Sequence, residues 1–275
     1  MELIVMIATI LFLIVALAFS PLGLGGGILY VPIFHYILEW GFQESLIGSL
    51  TLVLMVTIGS GFAHSKSGHA NHTIANSGRV TAIPSAIIGT ILSVLIIDFI
   101  DVAVIKLLAV IILLFVLNLT VKKIKNTGDE EEEVVESTPE LIRNYQYGTA
   151  FAGLSSGLLG IGGGAILVTL NRNIFKMDSK NSSGTSYLVA STIVPVALLS
   201  HLVLGGVISD IISDIGWLPI LILPVLVAIS SFFGAKLAIK KMPKKLVTNM
   251  FLGAVLLGIM RYSYDLTQHA YTLLT

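Results

Sequence analysis

One glycine cluster occurs twice, each time inside apolar sequence: Gly23-Leu24-Gly25-Gly26-Gly27 and Gly160-Ile161-Gly162-Gly163-Gly164. The four glycines of the first copy map onto those of the second at a single offset, 137 residues (23 to 160, 27 to 164). Glycine is about 1 kcal/mol worse than alanine inside a helix and readily leaves α geometry. A helix therefore breaks at each cluster. A chain that keeps two such breaks in corresponding places reads as two related halves.

The medium follows from composition. Of 275 residues, 55% are hydrophobic and only 12% are charged, about half the charge of an ordinary soluble domain. This is the composition of an integral membrane protein. The net charge of zero gives no general attraction for nucleic acid. With no cysteine, disulfides, thiol catalysis and Cys-ligated clusters are excluded. Neither a His/Cys metal set nor a phosphate-binding Walker loop is present, so no cofactor and no metal are expected. The first apolar run, Leu3 to Phe19, has no basic leader and no small-residue cleavage site, and reads as a retained helix.

Runs long enough to cross a bilayer, roughly 17–25 residues, are Ser45–His64, Val80–Ile97, Val102–Val121, Gly184–Leu204, Ile215–Ile239 and Leu246–Tyr262. Two further segments, about Leu3–Leu38 and Tyr145–Phe175, each contain a glycine cluster. The stretch 122–143 is polar and carries Asp129 to Glu133 and Glu136, a solvated linker. It separates a first repeat, 1–121, from a second, 144–275.

Lysine and arginine set the orientation. Fourteen of the 16 basic residues fall in four places: Lys66 and Arg79; the linker; Arg172 to Lys180; and Lys236 to Lys245. Placing all four in the cytoplasm gives one consistent path. The segment between Arg143 and Arg172 then enters and leaves on the same side, as a hairpin of helices 145–159 and 163–175. The first half has the same design, with Leu3–Phe19, a turn at Ser20–Gly27, and Ile28–Leu38 returning outward. A hairpin plus three spans is an odd number of crossings, so the halves are inverted. The expected fold is an all-α polytopic membrane protein of about ten helices. Its linker lies in the cytoplasm and both termini lie outside a cytoplasmic (inner) membrane. Inverted repeats with broken helices are a design of secondary transporters, whose sites lie at the breaks.

The returning arm of each hairpin starts at its glycines, so free N–H groups and the positive dipole end face the turn. That suits an anion, which glycine lets approach closely. The candidate binding residues are Gly23, Gly25, Gly26, Gly27, Gly160, Gly162, Gly163 and Gly164, with Ser20, Ser155 and Ser156 as hydroxyl donors. Close helix crossing is the competing use of such glycines. His64 and His201 also differ by 137 and end equivalent spans. They are candidates to gate the path or carry a proton, against a plain interfacial role. Arg172 reads as a cytoplasmic anchor whose charge reaches for the interface. Ser49, Thr51, Thr57, Thr185, Ser186, Ser191 and Thr192 line a pathway or bond back to their own helices. Asp98, Asp101, Asp210 and Asp214 fall at the outer edge, so a carboxylate carrier within the membrane is not expected.

Around the glycine clusters stand Ile47-Gly48-Ser49-Leu50 and Ser183-Gly184-Thr185-Ser186, spans ending in histidine, and Gly234-Ala235-Lys236-Leu237-Ala238. Together these resemble the TauE/SafE family of sulfite exporters, also called the 4-toluene sulfonate uptake permeases, over nearly the whole chain. The resemblance implies a permease for small sulfur-containing anions such as sulfite, sulfoacetate or organosulfonates. An anion channel of the same fold stays open, as does self-association into a homodimer. The expected partners are the anion and the lipid bilayer, not nucleic acid. An intramembrane enzyme is disfavoured, for the chain offers no cysteine, no HExxH metal set and no paired acids in mid-membrane. The family's proline after each glycine cluster is Pro32 in the first half, but Thr169 stands there in the second, so the hairpins are expected to be unequal.

Overall fold

In the computed structural model of the chain, residues 2–97, 102–127, 137–207, 211–212 and 217–274 are described. The acidic run of the linker and Asp98, Asp101, Asp210 and Asp214 lie outside them. Among the described residues there are ten helices and no strand. They are α1 (Glu2–Phe19), α2 (Gly27–Ile37), α3 (Phe42–Lys66), α4 (His72–Ile97) and α5 (Val102–Thr127), followed by α6 (Pro139–Leu159), α7 (Gly164–Ile174), α8 (Ser179–Leu204), α9 (Trp217–Lys241) and α10 (Lys244–Leu274). Five helices contain windows long and apolar enough to cross a membrane: α3, α4, α8, α9 and α10.

Local signals account for the boundaries. Pro139 at the first turn of α6 follows Thr138, whose side chain accepts the Leu141 N–H, a favoured helix start. Asp178 caps α8 by accepting the N–H groups of Lys180 and Asn181 at 2.8 and 3.0 Å. The last helical residue before each glycine cluster is apolar, and the chain then turns through left-handed glycines.

The repeat extends beyond sequence. Helices α2 and α7 begin and end 137 residues apart (27 to 164, 37 to 174), and α3 and α8 begin 137 apart (42 to 179). The positive-φ glycines coincide as well: Gly23 and Gly160 at 74° and 65°, Gly25 and Gly162 at 74° and 75°, Gly26 and Gly163 at 90° and 67°. One difference follows Pro32. Residues Ile33–Ile37 form a π-helical turn, whereas α7, with Thr169 in place of the proline, stays α-helical throughout. Proline removes an N–H donor from the helix ladder.

Helices α3 and α8 pack antiparallel. Gln43 at the start of α3 bonds His201 near the end of α8, while His64 at the end of α3 lies on Tyr187 and Gly184 near the start of α8. Equivalent helices running in opposite senses mean that the halves are inverted. The halves also interlock. Helix α6 of the second half packs along α4 of the first, and α1 of the first half packs along α9 of the second. Small residues allow both crossings: Gly89 lies against the Leu154 carbonyl and Gly234 against that of Leu17, the residue 137 positions earlier. Large apolar side chains cover the outside, Leu95, Val203 and Leu221 among them, as expected of a lipid-facing surface.

Both arms of the α6–α7 hairpin meet at one end of the molecule. The Tyr145 and Phe175 rings touch edge to face at 5.1 Å, and Ile74 and Met177 join them. In the first hairpin, α2 folds back on α1 through Phe12, Tyr30 and Phe34.

Candidate functional site

The two glycine turns meet each other backbone to backbone, halfway along the α3–α8 pair. A Cβ added at Gly27 would stand 2.6 Å from the Ile161 Cα, and one at Gly164 would stand 2.7 Å from the Leu24 carbonyl oxygen. Leu24 and Ile161 are themselves repeat counterparts, so the contact is symmetric. Both turns also close on one side chain, Val53 near the middle of α3. Added Cβ atoms on Gly25 and Gly162 would meet its Cγ1 at 2.8 and 2.5 Å. Every residue from Phe19 to Ile28 and from Leu159 to Thr169 is buried. The candidate glycines are therefore brought together into one enclosed centre, with the first turns of α2 and α7 pointing into it.

Two hydroxyls tie the turns to the antiparallel pair. Ser49 donates to the Gly160 carbonyl at 2.8 Å and Ser186, 137 residues on, donates to the Gly23 carbonyl at 3.0 Å. Thr185 accepts the Asn71 N–H at 3.0 Å. By contrast, Thr51, Thr57, Ser191 and Thr192 bond back to their own helices. So do Ser20, to the Leu17 carbonyl, and Ser155, to that of Phe151, both at 2.8 Å. Of the three candidate serines only Ser156 keeps a buried hydroxyl with no partner among the described residues.

His64 and His201 stand at opposite ends of the α3–α8 pair, and both are enclosed by protein at 1% and 0% exposure. Each lies by the last turn of a hairpin arm, but only His201 bonds to it. His201 Nε2 donates to the Gly157 carbonyl at 2.7 Å and its Nδ1 accepts from Gln43 at 3.2 Å, the tautomer that these partners require. Among the described residues His64 has no hydrogen-bond partner, although the Ser20 carbonyl lies near, and it is faced by Lys180 and His69. Lys180 is the repeat counterpart of Gln43. The two ends thus share geometry and differ in charge.

Arg172 is 5% exposed, so it does not reach for an interface as expected of an anchor. Its repeat counterpart is His35, whose Nδ1 bonds the Trp40 carbonyl at 2.8 Å. One acid is buried near the end of the last helix. Asp265 on α10 is 8% exposed and pairs with Arg261, whose guanidinium lies 4.1 Å over the Tyr36 ring. Lys106 donates to the Tyr36 hydroxyl. Sequence reasoning passed over this group because Arg261–Asp265 straddles the end of the last apolar run.

The profile of the sulfite exporter TauE/SafE family matches residues 8–262. The chain belongs to the TauE/SafE family. Membership makes it a multi-pass membrane permease of the sulfite- and anion-exporting class, a transporter family and not one of enzymes. Neither a curated protein nor a solved structure matches the chain. In this TauE/SafE protein the match spans both glycine turns, both histidines and the α3–α8 pair. Tyr187 and Val53, which close on the turns, carry no sequence signal of their own: each is an apolar-looking residue within a long span.

Proposed function

We propose that the chain carries a small sulfur-containing anion, such as sulfite, sulfoacetate or another organosulfonate, by alternating access around the paired glycine turns. One observation carries the reading: two oppositely oriented helix starts, built from equivalent left-handed glycines, converge halfway along the α3–α8 pair in a fully buried centre. N-terminal N–H groups and the aligned peptide dipoles favour negative charge there. Irregular backbone at membrane depth is tolerated where it is enclosed by protein or lines a cavity.

Repeats 1–121 and 144–275 exchange roles as the path opens first to one side and then to the other. His201 and His64 stand toward the two ends of the α3–α8 pair and act as gates, and a proton on His64 requires the anion's charge to offset Lys180. The basic ends of α3, α5, α9 and the α7–α8 junction face the cytoplasm, by the distribution of lysine and arginine. The acidic linker then lies in the cytoplasm as well, and both termini lie outside.

Enclosure of the centre favours a carrier over a channel of the same fold. Purified protein in liposomes, given labelled sulfite and a panel of sulfonates with and without a pH gradient, tests this. Saturable uptake accelerated by unlabelled anion on the opposite side is expected. Flux that neither saturates nor shows such acceleration would identify a channel, and no flux of any anion would overturn the reading.

A further inference from the structure

The two turns match in backbone and differ in what fills them. At the first, the Tyr187 hydroxyl donates to the carbonyls of Phe19 and Ser20 at 3.1 and 3.0 Å. Its oxygen lies within reach of the Ser60 side chain and of the Gly23 and Gly25 backbone. Tyr187 is buried and so serves carbonyl acceptors of this turn from within. The residue at the equivalent position of the first half is Leu50, also buried, and it offers the second turn no polar atom.

The second turn has the opposite character. Ser156 stands where the first half has Phe19, and its hydroxyl is buried without a partner among the described residues. It lies one helical turn beyond Ala152, whose carbonyl faces Gly163, and so on the hairpin-facing side of α6. Meanwhile the Gly157 carbonyl, equivalent to that of Ser20, is occupied by His201. A sulfite or sulfonate group brings acceptor oxygens only. The first turn presents it with two carbonyls already served by a tyrosine, whereas the second presents an unused hydroxyl donor on the side of α6 that faces the start of α7. Buried polar groups are nearly always paired, so an unpaired one calls for a partner.

Building on the transport reading above, we infer that the protein holds a single anion, at the second turn, through Ser156 and the first N–H groups of α7, while Tyr187 seals the first turn. The pseudo-symmetric centre is therefore a one-site centre. Its asymmetry lies in the exchange of tyrosine for leucine and serine for phenylalanine.

Calorimetric titration of the purified full chain with sulfite and with a short alkylsulfonate tests this, backed by ligand-induced thermal stabilisation. One equivalent per chain is expected. Ser156→Ala should weaken binding about tenfold, the loss of one hydrogen bond to a charged group, while Tyr187→Phe should keep affinity within about twofold of the parent. Thermal melting of both variants without anion checks that they fold. Two equivalents, unaltered affinity in Ser156→Ala, or equal weakening in Tyr187→Phe would overturn the one-site assignment and leave the transport reading standing. Absence of binding to the parent protein would overturn both.

Discussion

Ser49 and Gly160, 111 residues apart in the chain, are joined by a 2.8 Å hydrogen bond that anchors the second glycine turn to the middle helix of the first half. Ser186 holds Gly23 in the same way from the other half. Each repeat thus fixes the turn of its counterpart.

Removing either hydroxyl leaves a buried carbonyl unpaired. Ser49→Ala and Ser186→Ala should each destabilise the protein by about 1 kcal/mol, read as a lower thermal midpoint in detergent. Unchanged midpoints in both variants would mean that the turns are held by packing alone.

The contact between the turns leaves no room for a methyl group. Gly27→Ala and Gly164→Ala would drive a Cβ into the Ile161 and Leu24 backbone, and neither glycine has a positive φ, so crowding alone acts. Both variants should melt early and transport poorly. Gly253→Ala on α10 meets nothing within 4 Å and should be neutral or stabilise by up to about 1 kcal/mol, as alanine does in a helix. Equal behaviour of Gly27→Ala and Gly253→Ala would contradict the close approach.

Proton coupling should depend on His64 more than on His201. Among the described residues His64 has no hydrogen-bond partner, and it faces Lys180, His69, the Tyr187 ring and the Ser20 carbonyl, so a proton there needs an anion nearby. Its protonated form is populated only at low pH, and anion uptake that depends on it should therefore fall as pH rises. His64→Gln should flatten that profile. His201→Gln, whose parent residue is already satisfied as a neutral ring, should keep it. A His64→Gln profile identical to the parent's would remove the coupling role.

Sidedness can be read by cysteine labelling, since the chain has no cysteine of its own. Ser67 and Ser137 are exposed at one end and Glu39 at the other. Ser67→Cys and Ser137→Cys should react from the cytoplasm only, and Glu39→Cys from outside only. Labelling of Glu39→Cys from the cytoplasm would reverse the proposed orientation.

The sequence by itself determined the repeat, the two hairpins and their inversion. Those rest on local chemistry: glycines that break helices, apolar runs of bilayer length, and basic residues gathered into alternate loops. Even the hairpin arms were legible, with 145–159 and 163–175 expected against Pro139–Leu159 and Gly164–Ile174 observed. Helix starts in polar sequence were not, as in α4 from His72 and α8 from Ser179, because hydropathy marks only the part of a helix that matches lipid. The partners of the polar side chains were decided by tertiary structure alone. Ser49 and Ser186 reach across to the opposite turn while Thr51 and Ser191 bond back to their own helices, and nothing in the pattern of a single span distinguishes them. Likewise Tyr187 and Leu50 are both apolar positions of equivalent spans, and only the folded contact between halves makes one a plug and the other a wall. Hydrogen bonds between residues more than a hundred positions apart are set by how the two inverted halves interlock, and that geometry exists only once both are assembled.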